Sequence, residues 1–419
     1  MQPNTSVEST LPAWTALICL ALLHTLVDTC ALLIAPLWPR LETIYGFGVA
    51  GLSIAFIAQS MPTSISQVVF GWLRDRQPAP IWLWLGPVVA ALFLTSIGRV
   101  DQRVALFGIL MLGGIGVGAF HPEAAVLAGR ILPGQRARGI SLFMFGGSLG
   151  LGLGPIISGM IVTERGLPGL TLLTIPVGIL AILLFKVGQL GSAANRLLKK
   201  SDNDTTPTPT FSETLDGRGG FAIVLLIACS LRLVPNMAMD KILAFTLSQP
   251  KWGYTEAQIG MVQSIFLIAA SVGMFLMVFR FRSGWEKAFM VACPLLSIPL
   301  MIILAWESCP PWLMFTTLAL AGILLWGTSP AMVSYAQHQF PKGAGLASAL
   351  TMGMSWGIGG LIQAPITSYF EKAGTPQLAF SAFIPCLIAA GLIATGMPKQ
   401  SEPITSAQEL SPPTRRSVS

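Results

Sequence analysis

The chain has 419 residues, of which 53% are hydrophobic and 10% charged, with a mean hydropathy of +0.70 and a formal net charge of +7. A soluble domain carries about 25% charged residues and a single core stops growing near roughly 250 to 300 residues, so a water-soluble fold is excluded for want of charged surface. The basic excess is scattered between apolar runs with no aromatic-interleaved face, which excludes a nucleic-acid partner, and six cysteines without a CxxC pair imply neither a disulfide framework nor a metal cluster.

A membrane helix needs about 20 mostly apolar residues to cross about 30 Å of hydrocarbon. Six such stretches follow one another at 13–38, 49–71, 81–97, 104–129, 140–162 and 170–187. The first is not preceded by a basic region or followed by a small-residue cleavage site, so it is expected to be retained. Six more lie at 221–247, 259–279, 288–306, 312–337, 346–370 and 377–396. Their apolar runs are continuous and do not alternate, which favours helices over barrel strands. The predicted architecture is an all-α integral membrane protein, twelve transmembrane helices in two pseudo-symmetric six-helix bundles.

The expected organisation is a cytoplasmic tail (1–12), an N-terminal bundle (13–188), a cytoplasmic linker (189–219), a C-terminal bundle (220–397) and a disordered tail (398–419). The linker is polar, with Lys199, Lys200 and a Thr-Pro repeat around Pro207 and Pro209. Only Arg40, Arg99, Arg103, Arg165, Lys251 and Lys372 fall on one side of the membrane, whereas clusters such as Arg74 with Arg76, Arg136 with Arg138 and Lys199 with Lys200 fall on the other. That asymmetry puts both termini in the cytoplasm.

The halves share a repeat. Pro122 and Pro133 recur at one offset as Pro330 and Pro341, and Gly146, Gly150 and Gly152 recur, with one residue of drift, as Gly353, Gly357 and Gly359. The fourth span thus corresponds to the tenth and the fifth to the eleventh. This parallel-repeat arrangement puts substrate near the midplane between the halves.

An ionisable group at the bilayer centre costs at least about 2.5 kcal/mol, so each needs a reason. His24 and Asp28 lie four apart on one face of the first span, suited either to proton coupling or to a structural hydrogen bond. In the fourth span the glycine series Gly113 to Gly118 reads as close helix packing and not as a dinucleotide loop. It leads into Phe120-His121-Pro122-Glu123, where Pro122 frees a backbone carbonyl and either His121 or Glu123 faces a cavity. The seventh span carries Arg232, Asn236 and Asp240 as a stripe, for an anionic substrate or for a structural pair. Lys241, beside it, is expected to snorkel outward. Gln59, Thr63 and Gln67 form a polar stripe on the second span that suits a water-filled path or interhelical contacts equally. No catalytic triad, metal-ligand spacing or phosphate loop is present, so an enzyme is not expected.

Gly71-Trp-Leu-Arg-Asp75-Arg76, between the second and third spans, resembles the signature loop of the major facilitator superfamily, with its trailing Gly-Arg-Arg replaced by Gln77-Pro-Ala-Pro. The resemblance implies gating roles for Asp75 and Arg76. Gly146 to Gly159, with Gly150, Gly154 and Pro155, is similar to the fifth-helix motif found mainly in antiporters of that superfamily, which implies a gating role for those three. More narrowly, His24 with Asp28, Phe120 to Glu123, Tyr335-Ala-Gln337, Pro341 and Gly357 to Gly360 resemble the fosmidomycin-resistance group of exporters.

That resemblance implies proton-driven efflux of a small drug across a bacterial inner membrane, with His24, Asp28, His121 and Glu123 as proton-coupling candidates. Arg232, Asn236, Asp240, Gln59 and Tyr335 are the substrate-binding candidates, with Arg232 the group for an anionic drug. No cofactor beyond the proton gradient is expected, and the expected partners are a small molecule, protons and lipid, with the chain acting as a monomer. The same fold also serves import of an organic anion or nutrient, or a non-transporting membrane sensor.

Overall fold

The computed structural model describes residues 10–76, 81–131, 136–190, 215, 217–280, 285–340, 347 and 349–399. Most of the expected linker and the tail beyond Lys399 lie outside the described residues. Among the described residues there is no strand, and every one of the twelve predicted stretches is helical. Ten helical stretches are long and apolar enough to cross a membrane. The second and eleventh spans, Gly48–Arg76 and Ser355–Lys372, complete the twelve. Both carry the most polar runs of the set, and they lie against each other: Gly357 approaches Met61 and Ser64, and Gly360 approaches Phe56 and Ser60. A helix whose polar face meets another helix has no need to be apolar all round.

Several spans are broken where the sequence supplies a breaker. The first runs as helix Thr10–Ala31, turns through the short segment Ala35–Leu37 at Pro36, and continues as Trp38–Tyr45, which ends at Gly46 in a left-handed conformation. The tenth is Pro311–Gly327 followed by Ser329–Gln339, with Pro330 in the first turn of the second piece. The eleventh opens on a π-helical segment, Ala349–Met354. Large apolar side chains such as Ile175, Ile179 and Ile182 are exposed on the outer face, the pattern of a helix bundle solvated by lipid tails.

Glycines set the helix spacing. On the fifth span (Arg136–Arg165), Gly146, Gly150 and Gly154 recur every fourth residue, and a Cβ at each would press on the Ala21, Thr25 and Thr29 region of the first span. Thr25 and Thr29 return the contact with hydroxyl hydrogen bonds to the carbonyls of Gly146 and Gly150, at 2.9 and 3.2 Å. The other side of the same helix uses Gly152 and Gly159 against the eighth span, Glu256–Arg280. The predicted repeat therefore keeps its spacing and changes its partners. Gly146 and Gly150 pack within their own half, whereas the matching Gly353 and Gly357 pack across the seam on Ser64, and Gly359 turns inward to Leu233 of the seventh span, Gly219–Leu247. The fourth-span series (Arg103–Ile131) behaves as predicted: Gly114 and Gly118 meet the second span and Gly113 and Gly116 the third.

Candidate functional site: two histidines around a buried aspartate

Three of the four coupling candidates face one another inside the N-terminal half. His24 Nε2 lies 3.2 Å from Asp28 Oδ2, His121 Nε2 lies 3.3 Å from Asp28 Oδ1, and the two Nε2 atoms are 3.1 Å apart. Each ring is oriented from behind. His24 Nδ1 is 2.7 Å from the Phe143 carbonyl, and His121 Nδ1 is 2.7 Å from that of Val117. A carbonyl only accepts, so both Nδ1 atoms must carry a proton and donate it.

That requirement fixes the chemistry at the centre. Two neutral imidazoles protonated at Nδ1 would aim two Nε2 lone pairs and a carboxylate at one point, a repulsive arrangement around a carboxylate that is itself buried, with His24 buried and His121 half-buried. At least one proton must sit among the three groups. A second would turn a neutral cluster, with Asp28 ionised and one imidazolium, into a cationic one. The three donors also lie within 4.8 Å of one another, close enough to converge on a metal ion, although the sequence reading placed none here.

Phe143 stacks on His24 with ring centroids 4.0 Å apart. Gly147 lies directly over the cluster: a Cβ there would overlap the His24 ring and come within 2.8 Å of Asp28 Oδ2. Neither residue was singled out from the sequence as part of this site. The paired glycines Gly146-Gly147 were the available signal, since one helix face needs only one of them. Glu123 is buried at 3% exposure and is not one of the three converging groups, as its two-residue offset from His121 dictates.

The substrate candidates are dispersed. Arg232, 3% exposed, donates to the Leu325 carbonyl, to Thr328 Oγ1 at 2.7 Å and to Ser329 Oγ at 3.2 Å. It therefore holds the break in the tenth span, a cation at a helix C-terminus, and its stripe neighbour Asp240 is engaged elsewhere. Asp240 Oδ2 accepts the Trp38 indole N–H at 3.1 Å, joining the halves. Arg40 to Glu256 at 3.1 Å and Gln263 to the Ala35 carbonyl at 3.0 Å join them at the same end.

Asn236 is buried with neither amide atom partnered among the described residues. Gln59 donates to the Ala31 carbonyl and so ties the first and second spans. Two expectations are corrected. Tyr335 is fully buried and donates to the Pro398 carbonyl at 2.8 Å, which anchors the chain beyond the twelfth span instead of lining a path. Lys241 does not snorkel: it is 1% exposed, among the charges of Glu371, Asp240 and Glu42. Gly150, Gly154 and Pro155 lie at the helix contacts, with the Pro155 carbonyl against Gly260 of the eighth span. The side chains of Asp75 and Arg76 lie outside the described residues.

Comparison with known proteins identifies the family and the fold. A family model described as Major Facilitator Superfamily matches residues 17–364. The chain is 25% identical over 398 residues to the uncharacterized MFS-type transporter YfnC of Bacillus subtilis (strain 168), covering 92% of this chain and 93% of that one. It is 24% identical over 377 residues to the fosmidomycin resistance protein of Escherichia coli (strain K12), covering 88% and 89%. Among solved structures, the nucleoside transporter NupG superposes with a TM-score of 0.68 at 13% identity, covering 91% of this chain and 99% of that one. The xylose transporter XylE from E. coli, in a partially occluded inward open conformation, gives 0.65 at 14%, covering 92% and 100%.

Proposed function

Since the chain belongs to the Major Facilitator Superfamily and is a membrane transporter, we propose that it is a proton-coupled exporter of a small drug or toxic compound working by alternating access, with His24, Asp28 and His121 holding the coupling proton. The observation that carries this reading is the 3.1 Å approach of two Nε2 atoms beside one carboxylate. The cluster joins the first and fourth spans and is oriented by the fifth through Phe143. A change in its proton count alters the attraction between those helices, and so shifts the balance of the two states of the transporter. The export direction draws on the fifth-span glycine pattern and on the resistance named for the E. coli relative.

The basic-residue asymmetry supports an inner-membrane protein with both termini in the cytoplasm. In that orientation the Trp38 to Asp240 and Arg40 to Glu256 contacts close the periplasmic end. The test is flux in proteoliposomes under an imposed pH gradient, with fosmidomycin as the first probe and a panel of drugs and nutrients after it. Gradient-driven movement of a drug out of the cytoplasmic-side compartment, lost in Asp28→Asn, supports the proposal. Drug movement indifferent to the gradient in the wild type contradicts it. Movement of a nutrient alone, inward, would make the protein an importer.

A further inference from the structure

Two imidazoles and a carboxylate that converge on one point can share a metal ion as well as a proton. His24 Nε2 and His121 Nε2 are 3.1 Å apart, and Asp28 presents Oδ2 to the first at 3.2 Å and Oδ1 to the second at 3.3 Å. Zinc binds imidazole nitrogen at about 2.0–2.1 Å, which sets two tetrahedral ligands about 3.3 Å apart. The donors therefore stand close to the edge lengths of such a tetrahedron before any side chain moves. One proton can bridge only two of the three groups, whereas one cation placed between them satisfies all three.

The supports behind the donors are those of a metal site. A ligating imidazole almost always donates its second ring N–H to a carbonyl, carboxylate or water, which holds the tautomer and aims the free lone pair at the ion. Both rings do so here: His24 Nδ1 donates to the Phe143 carbonyl and His121 Nδ1 to that of Val117, each at 2.7 Å. The His121 side chain is 22% exposed and that of Asp28 10%, which leaves one side for a fourth, non-protein ligand. The charges also fit. Among the described residues, the charged groups acting on Asp28 are the two histidines themselves, with no lysine or arginine among them. Glu123, buried on the same turn of the fourth span as His121, is not one of the ligands. A divalent ion beside the Asp28 carboxylate leaves one net positive charge, the charge that the cluster carries with a second proton.

We propose that His24, Asp28 and His121 form a binding site for a divalent transition-metal ion of the zinc class, which bridges the first and fourth spans and arrests transport. Two nitrogens and one carboxylate select zinc, cobalt or nickel over magnesium and calcium, which take oxygen ligands. The ion uses the lone pairs that hold the shared proton, so that proton leaves as the ion enters, while both Nδ1 protons stay in their hydrogen bonds. Binding rests on the geometry alone; the arrest of transport rests on the coupling role proposed above.

A ligand that binds the folded state raises the unfolding temperature. The full chain, purified without a histidine tag in an uncharged detergent and stripped with a chelator, would be titrated with zinc, and with magnesium as the control, while its thermal midpoint is followed. The expected result is a rise with zinc and none with magnesium. His121→Gln and Asp28→Asn should each weaken the apparent affinity by more than about 10-fold, the least that losing a supporting contact behind a ligand costs. His338→Gln, which changes the one remaining histidine, should not. Zinc-edge X-ray absorption of the wild type needs no variant: it should show nitrogen and oxygen neighbours at about 2.0–2.2 Å and no sulfur. A wild-type midpoint indifferent to zinc, an affinity unchanged in both ligand variants, or a sulfur neighbour would overturn the site. In proteoliposomes zinc should stop gradient-driven flux and a chelator should restore it. Binding with undiminished flux would overturn the arrest and the coupling role while the metal site stands; flux that needs Asp28 in a protein that binds no zinc would overturn the site while the coupling role stands.

Discussion

In the fourth span Pro122 lies inside one continuous helix, Arg103–Ile131, and the residue before it, His121, reaches Asp28 across the N-terminal half. In the tenth, the matching Pro330 begins a new helix after Gly327, and the carbonyl and hydroxyls at the break are taken by Arg232. Proline removes the same backbone donor in both places. One half uses the locality for groups that can gain and lose a proton, the other for a cation that cannot. A repeat visible in the sequence therefore carries the packing geometry, while the charge chemistry is particular to each half.

The sharpest way to break this comparison is Asp28→Asn. It removes the acceptor shared by His24 and His121, so pH-driven flux in proteoliposomes should fall to the level of empty vesicles while folded protein remains in the membrane. A chelator added to the wild type should leave that flux unchanged if the cluster holds protons. Next in size is Gly150→Val, whose Cβ would overlap the Thr25 carbonyl. Backbone cannot yield as a side chain can, and overpacking of this kind costs about 1–3 kcal/mol, read as a lowered unfolding temperature in detergent.

Arg232→Met tests the opposite half. It leaves the Thr328 and Ser329 region without its donor, a loss of about 1.5–3 kcal/mol for hydrogen bonds to a charged group, yet it should not move the pH dependence of transport. A shifted pH profile in this variant would erase the distinction between the halves. The smallest effect is expected for Trp38→Phe, which deletes the indole donor to Asp240. One hydrogen bond contributes about 0.5–1.5 kcal/mol, so the balance between states should move by about 2- to 10-fold, measured by solvent accessibility of probes on either face.

The helices were legible because continuous, mostly apolar runs of sufficient length recur along the chain, ten of them apolar enough to cross a membrane on composition and length alone. The pairing of His24 with Asp28 was legible because residues four apart share a helix face. His121 was recognisable as an expensive buried group, but its partner lies 93 residues away in sequence terms from Asp28, and helices apolar on every side give no sign of which way each face turns. For the same reason the stripe of Arg232, Asn236 and Asp240 read as one site, whereas Arg232 turns into its own bundle and Asp240 crosses to the other half. Lys241 was expected to extend to water by its length alone; the acidic groups around it, Glu371 and Glu42, come from segments that the seventh span does not announce.

The central claim concerns where protons reside on two rings, and the chain has three histidines in all, His24, His121 and His338. Nitrogen NMR of protein labelled at histidine can therefore assign each ring by comparison with single variants. The account predicts Nδ1 protonated in both His24 and His121 at every pH, with their Nε2 signals shifting together and both altered by Asp28→Asn. A bare Nδ1 on either ring, or two independent titrations that ignore the aspartate, would contradict it.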